Sequence, residues 1–238
     1  MNAQNCKIVF VTLLTASSVF NAAADSAVIT GKVTFKGTAP KPMPIEMTTS
    51  DPKCAAMHKE PVLSKRIDVN DKGELKDAFV WIKEGLTKQY DPPAKPVTLD
   101  QVGCVYTPHV FGLQVGQKLI IKNSDPTLHN IHPLPMVNKE FNLAQPVQGM
   151  TTEKTFTKVE VAIKVKCDIH PWMMAYCAVV PHPFFAVTGA DGAFKIGNLP
   201  AGEYTVEVWH KRLGKKEIKI KVGDGETKTA DFVLESKP

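Results

Sequence analysis

The chain has no C-x-x-C-H motif, so covalent attachment of a c-type haem is excluded. It also lacks a Gly-rich phosphate loop, a Ser-His-Asp order and a paired-carboxylate constellation. Those absences argue against hydrolase and transferase chemistry, and no enzyme is expected. Long hydrophobic runs are scarce: residues 8–20 form an apolar stretch too short for a bilayer, and nothing later is longer. Charge of one sign is missing too. The 29 basic residues against 24 acidic ones leave only +5, scattered along 238 residues. Without an aromatic-basic platform, nucleic acid is not an expected partner. A sustained helical period is also absent, although 52–59 has room for a turn of helix.

What is present begins with an export signal. Lys7 precedes the apolar run and Ala22-Ala23-Ala24 offers a small-residue cleavage site, so residues 1–24 read as a signal peptide. A periplasmic or otherwise exported setting follows, without a transmembrane span. Beyond it, short alternating strands are separated by Gly, Pro, Asn and Asp: AVITGKVTF (27–35), DAFVWI (77–82), QKLIIKN (117–123), KVEVAIKVK (158–166), YTVEVWH (204–210) and EIKIKV (217–222). The expected class is all-β. Proline-rich QYDPPAKP (89–96) and VPHPFF (180–185) read as junctions.

The chemistry concentrates in KCDIHPWMMAYCAVV (166–180). A soft-ligand electron-transfer site needs two imidazoles and a thiolate, with a weak axial thioether. Cys167, His170 and Met173 supply three of these from one loop between two strands, and His129 in NSDPTLHNIH (123–132) is the remote fourth. His132 falls on the opposite strand face, and Met174 fits a longer loop less well. The rival is a zinc set of Cys167, His170, Cys177 and His182. It is weakened because Cys177 sits in a strand rich in packing residues. If Cys167 is a ligand, Cys54–Cys104 is the favoured disulfide. It would close a loop of about 50 residues, worth at most roughly 4 kcal/mol. Separate, reduced cysteines are the alternative. His109, His182 and His210 read as buried, hydrogen-bonded histidines, and Met57-His58 as a surface loop.

CDIHPWM (167–173) resembles the C-x2-H-P-aromatic-M loop of amicyanin-type blue copper proteins. VFGLQVGQKLIIKNSDPTLHNIH (110–132) resembles the cupredoxin run in which V-x-x-G strands lead to N-x-D and the first copper histidine. The resemblance spans roughly residues 97–180. It implies a Greek-key β-sandwich holding one copper, Cu(I)/Cu(II), on His129, Cys167, His170 and Met173. Asn130 would brace the cysteine loop and Trp172 would stand beside the ligands. Electrons would pass through an exposed edge of His170, ringed by Pro171, Trp172 and Met174, with Pro133, Leu134 and Pro135 across the rim. The implied partner is a periplasmic redox protein, a cytochrome or a copper or quinone enzyme, in transient contact with a monomer.

Near the C-terminus, Thr188, Asp191, Gly192, Phe194, Ile196, Leu199, Pro200, Gly202, Tyr204, Thr205 and Val206 match the run T-x-x-D-G-x-F-x-I-x-x-L-P-x-G-x-Y-T-V. That run resembles carboxypeptidase regulatory-like (transthyretin-like) β-sandwiches. Their opening strands find counterparts in Gly31-Lys32-Val33 and Ala78–Ile82. The expectation is therefore one sandwich from 27–92 and 183–238, split by a cupredoxin-like domain at 96–181, with two tandem domains as the alternative. DPKC (51–54), DQVGCVYTPHV (100–110), NSDPTLHNIH and CDIHPWM together resemble methylamine-utilisation-like exported proteins. Copper delivery, or an envelope scaffold with incidental metal, are the functional alternatives to electron transfer.

Overall fold

A computed structural model describes residues 26–47, 51–64 and 66–236; the expected signal segment 1–24 lies outside the described residues. No helix among the described residues is long and apolar enough to cross a membrane. The fold is all-β, as expected, and its five-residue helix α1 (Pro52–Ala56) is capped by Asp51, which accepts from the Lys53 N–H.

Strands β5 (Val97–Gln101), β6 (Tyr106–Thr107), β7 (Val110–Gln114), β8 (Lys118–Asn123), β9 (His129–Leu134), β10 (Leu143–Gln145), β11 (Thr151–Thr155), β12 (Glu160–Lys166) and β13 (Met174–Val180) pair among themselves. They form two sheets, ordered β10-β9-β12-β13-β7 and β11-β8-β5-β6. Alternation explains the layering: in KLIIKN, Leu119, Ile121 and Asn123 turn inward while Lys118 is exposed. Leu99, Leu113, Leu119, Ile121, Ile131, Ile163 and Val165 fill the core between the sheets.

The remaining strands use both ends of the chain. Strand β1 (Ala27–Lys36) pairs antiparallel with β15 (Ala193–Leu199) and parallel with β18 (Thr227–Thr229) and β19 (Phe232–Glu235). Strand β4 (Phe79–Glu84) lies between β14 (Phe185–Val187) and β16 (Gly202–His210), and β17 (Gly214–Val222) completes that sheet. Ile29, Val33, Val80, Ile82, Ile196, Val206, Val208 and Phe232 share a second core. A sheet with one apolar face must cover it, and the sheet around β1 and the sheet of β4 and β16 bury theirs against each other in this core.

A third cluster joins the two sandwiches: Phe79, Trp81, Val110, Ala178 and Val180, with Tyr176, Phe185 and Trp209 at its edge. Gly112 on β7 makes the approach possible. A Cβ there would stand 2.5 Å from the Phe79 ring and 2.6 Å from that of Phe185. His109 sits at this seam, its Nδ1–H donating to the Met174 carbonyl at 2.9 Å and its Nε2 facing the Lys211 ammonium.

Burial, reinforced by Lys211, pushes the His109 pKa down to about 4, and the same two causes bring His210 to about 4. Both are neutral when folded and take up protons more readily unfolded, so stability is complete above about pH 6.5 and falls as the pH drops towards 4. Each contributes up to about 1.4 kcal/mol per pH unit in that window. The loss of stability between pH 6 and 5, measured by urea unfolding, should be smaller in His109→Gln than in wild type. Equal slopes would contradict this account.

Candidate metal centre

His129 opens β9, while Cys167 and His170 lie in the tight loop from β12 to β13. The loop closes on itself: the His170 carbonyl accepts from Met173 N–H at 2.9 Å, and the Met173 carbonyl from Cys167 N–H at 3.2 Å. Strand pairing brings His129 to it, since β9 and β12 are neighbours with His132 opposite Lys166. One ligand atom each from His129, Cys167 and His170 falls in a cluster with all separations within 4.8 Å. The three residues are 0%, 2% and 2% exposed, so water competes weakly for any cation held there. Met173 is fully buried in the same core as Cys167.

The outer nitrogens decide how the imidazoles face. His129 Nε2 lies 2.8 Å from Asp125 Oδ2, and His170 Nε2 lies 3.0 Å from Asp51 Oδ2. A carboxylate has no proton to give, so each Nε2–H donates and each Nδ1 lone pair turns inward. The two Nδ1 atoms are then 3.0 Å apart, with Cys167 Sγ 3.8 Å from that of His170. A proton between the two Nδ1 atoms satisfies that pair as an N–H···N bond; a cation engages both nitrogens and the sulfur. Two imidazoles, a thiolate and a nearby thioether are the donor set that suits copper.

Electrostatics prepare the thiolate. Burial pushes the Cys167 thiol up, but contacts with His129 and with N–H groups of Asn130, His170 and Ile169 outweigh it and hold the pKa below the ordinary thiol value. Burial likewise opposes charge on His129, yet Asp125 and Cys167 raise its pKa. Metal binding therefore displaces a proton, not a strongly bound neutral pair.

Asn130 Oδ1 accepts from Asp168 N–H at 2.7 Å and from the Cys167 thiol at 3.2 Å, linking β9 to the cysteine loop. Trp172 lies tilted beside His170 with ring centroids 5.1 Å apart, and its Nε1–H donates to the Cys104 carbonyl at 2.9 Å. Cys54 and Cys104 form a disulfide with Cα atoms 5.6 Å apart. His132 points away from the cluster and bridges Asp168 and Glu140. The zinc alternative is not assembled: Cys177 is a buried free cysteine in β13, and His182 bonds the Ile82 carbonyl. Neither joins a ligand cluster among the described residues.

One expectation is overturned. The edge of His170 is not exposed in an apolar patch, because Asp51 and the disulfide cover it, with Cys54 Sγ 3.6 Å from Nε2. Asp51 and α1 are drawn there by the disulfide and by burial of Cys54 in the core around the ligands. Of the expected rim, Pro171 and Leu134 are exposed, Trp172, Met174 and Pro135 half-buried, and Pro133 buried.

Asp125 and Asp51 are functional neighbours that spacing did not single out, although both stand in quoted motifs, NSDPTLH and DPKC. Asp125 is the more connected. Gly103 and Cys104 adopt successive positive φ values of 64° and 53°. That turn aims their N–H groups at the Asp125 carboxylate, at 2.7 and 2.8 Å. Gly103 also faces the His58 ring, 2.8 Å from where a Cβ would be. Asn123 completes the support, Oδ1 accepting from Asp125 N–H at 2.9 Å while Nδ2 donates to the Thr127 and Gln145 carbonyls.

Asp125→Ala should therefore weaken metal binding at this cluster by about 10–100-fold, the usual effect of losing a carboxylate behind a histidine ligand. Competition with a chelator of known affinity measures it. Unchanged affinity would mean that Asp125 serves the 103–104 turn alone.

Residues 181–235 match the family model of the carboxypeptidase regulatory-like domain. No curated protein matches the chain. Among solved structures, a purple cupredoxin from Nitrosopumilus maritimus is 23% identical over 35% of this chain and 98% of its own, with a TM-score of 0.31. A Cu-containing nitrite reductase (NirK) from Thermus scotoductus is 25% identical over 40% of this chain and 24% of its own, at 0.32. A mutant of amicyanin in its Cu(I) form is 20% identical over 41% of this chain and 99% of its own, also at 0.32. The chain is thus a two-sandwich β-protein whose residues 181–235 are similar to the carboxypeptidase regulatory-like domain.

Proposed function

We propose that the chain is an exported type 1 copper protein that passes single electrons. Its copper domain at residues 96–181 would be inserted in a sandwich made from 27–92 and 183–238. The observation that carries this reading is the pair of inward-facing Nδ1 atoms 3.0 Å apart beside Cys167. Copper supplies the Cu(I)/Cu(II) couple. His129, Cys167 and His170 would hold it, with Met173 as the fourth donor.

The chain's own residues do the rest. Asp125 and Asp51 fix the imidazole faces, Asn130 ties the thiolate loop to β9, and the buried core keeps water out. With the ligands set by strand pairing, little rearrangement accompanies a change of charge. The covered edge of His170 redirects the path to the surface. Trp172, packed on that ring and half-buried, provides it. The buried ligands also favour a retained metal over one handed on for delivery.

Adding Cu(II) to the metal-free protein tests the reading. An intense visible thiolate-to-copper band with reversible redox cycling is expected at one copper per chain. Trp172→Leu should keep the band while slowing electron exchange with a small cytochrome. A colourless complex, or copper stripped at once by a mild chelator, would defeat the electron-carrier reading.

A further inference from the structure

His170 has two faces, and the metal centre uses one. On the other, Cys54, Cys104 and His170 form a second buried cluster whose ligand atoms lie within 4.8 Å of one another. Cys54 Sγ is 3.6 Å from His170 Nε2, and Asp51 Oδ2 is 3.0 Å from the same nitrogen. As a disulfide, Cys54–Cys104 offers no thiolate. Reduced, it becomes a vicinal pair of soft donors with Cα atoms 5.6 Å apart, a spacing that side-chain rotation alone can open to grip one ion.

We propose that reduction of Cys54–Cys104 creates a second site for Cu(I), held by the two thiolates beside the Nε2–H face of His170. Thiolates are soft donors, and monovalent copper is among the ions they suit. The chemistry balances with a dithiol as reductant. Its two thiols give two electrons and two protons, becoming a disulfide, while the Cys54–Cys104 bond breaks to two thiols. Cu(I) then displaces both thiol protons to solvent. The site would take in the copper ion at the mouth of the buried centre, on the face of the histidine that centre leaves unused.

The location favours this role over a merely structural bridge. α1 and the bridge are what cover His170. The same two sulfurs thus close the way to the first site when joined and offer a landing point beside it when parted. The inference rests on the copper reading for the first site only.

The test is a Cu(I) titration against bicinchoninate, anaerobically, on oxidised protein and on protein reduced with dithiothreitol and desalted. One equivalent is expected in the oxidised protein and two in the reduced. Cys54→Ser/Cys104→Ser should hold one in either condition. Equal stoichiometry in oxidised and reduced wild type overturns the proposal, as does a second equivalent in the double variant. Failure of the first equivalent in oxidised protein instead sinks the copper reading itself, so the two are separable. If reduction loosens the fold, near-ultraviolet circular dichroism decides. The second equivalent must then restore the native signal, and an unrestored signal overturns the proposal.

Discussion

Cys167→Ala is expected to abolish the visible copper band and to lower copper affinity by more than the roughly 10–100-fold associated with an outer partner. The reason is that in the proposed site the sulfur would supply both the colour and the only anionic donor among the four. His129 and His170 would remain, but two neutral imidazoles in a site this buried leave the charge of the ion uncompensated. The fold should survive, because the strands on either side of the loop are paired along β12 and β13 independently of the thiol. Cys177→Ala is the control. That thiol is fully buried in β13, burial pushes its pKa far up, and it joins no ligand cluster among the described residues. It should keep both colour and affinity. Absorption spectra of the two variants, each mixed with one equivalent of Cu(II), decide the matter. A blue Cys167→Ala protein would remove the site from this loop altogether.

The second large effect concerns stability. Removing the disulfide as Cys54→Ser/Cys104→Ser should cost about 4 kcal/mol, the loop-closure value for a bridge spanning 50 residues. Both sulfurs are fully buried in the core around the ligands, so the serine hydroxyls add a smaller penalty of their own. The lost bridge also frees Asp51 and α1 from His170. Urea unfolding measures the first consequence. The second shows in the rate at which a chelator removes copper, which should rise. A loss well under 1 kcal/mol would mean that the unfolded chain already holds residues 54 and 104 together.

Much of this was legible in the residues and some was not. The all-β class follows from alternation, as in EVAIKVK, where Val161, Ile163 and Val165 recur at every second position. The loop residues Cys167 and His170 stand three apart on a turn short enough that proximity is nearly dictated by the chain. His129 needed a second motif, because only the β9–β12 pairing delivers it. Asp125 and Asp51 escaped because nothing in their local spacing says which way a carboxylate turns. Asp125 is reached through a left-handed turn at Gly103-Cys104, and Asp51 through a disulfide fixed 50 residues later. The same long-range tie hid the cover over His170, which local sequence shows as an ordinary proline-capped turn.

Strand β1 has a consequence for the order of assembly. Its ladder partners begin at Ala193 and end at Glu235, so its contacts are among the most distant in sequence that the chain makes. Non-local pairing of this kind is slow, because loop entropy must be lost before any contact rewards it. The strands from β5 to β13 need no such wait, since their partners all lie within their own stretch. Once they have condensed, β4 and β14 are carried by β7 and β13 to one seam, and the long intervening loop shrinks to the width of a folded body. The middle of the chain thus acts as the template on which its two ends meet. A lesion in the core around the ligands would then appear first as a delay in folding of the outer sandwich, far from any metal.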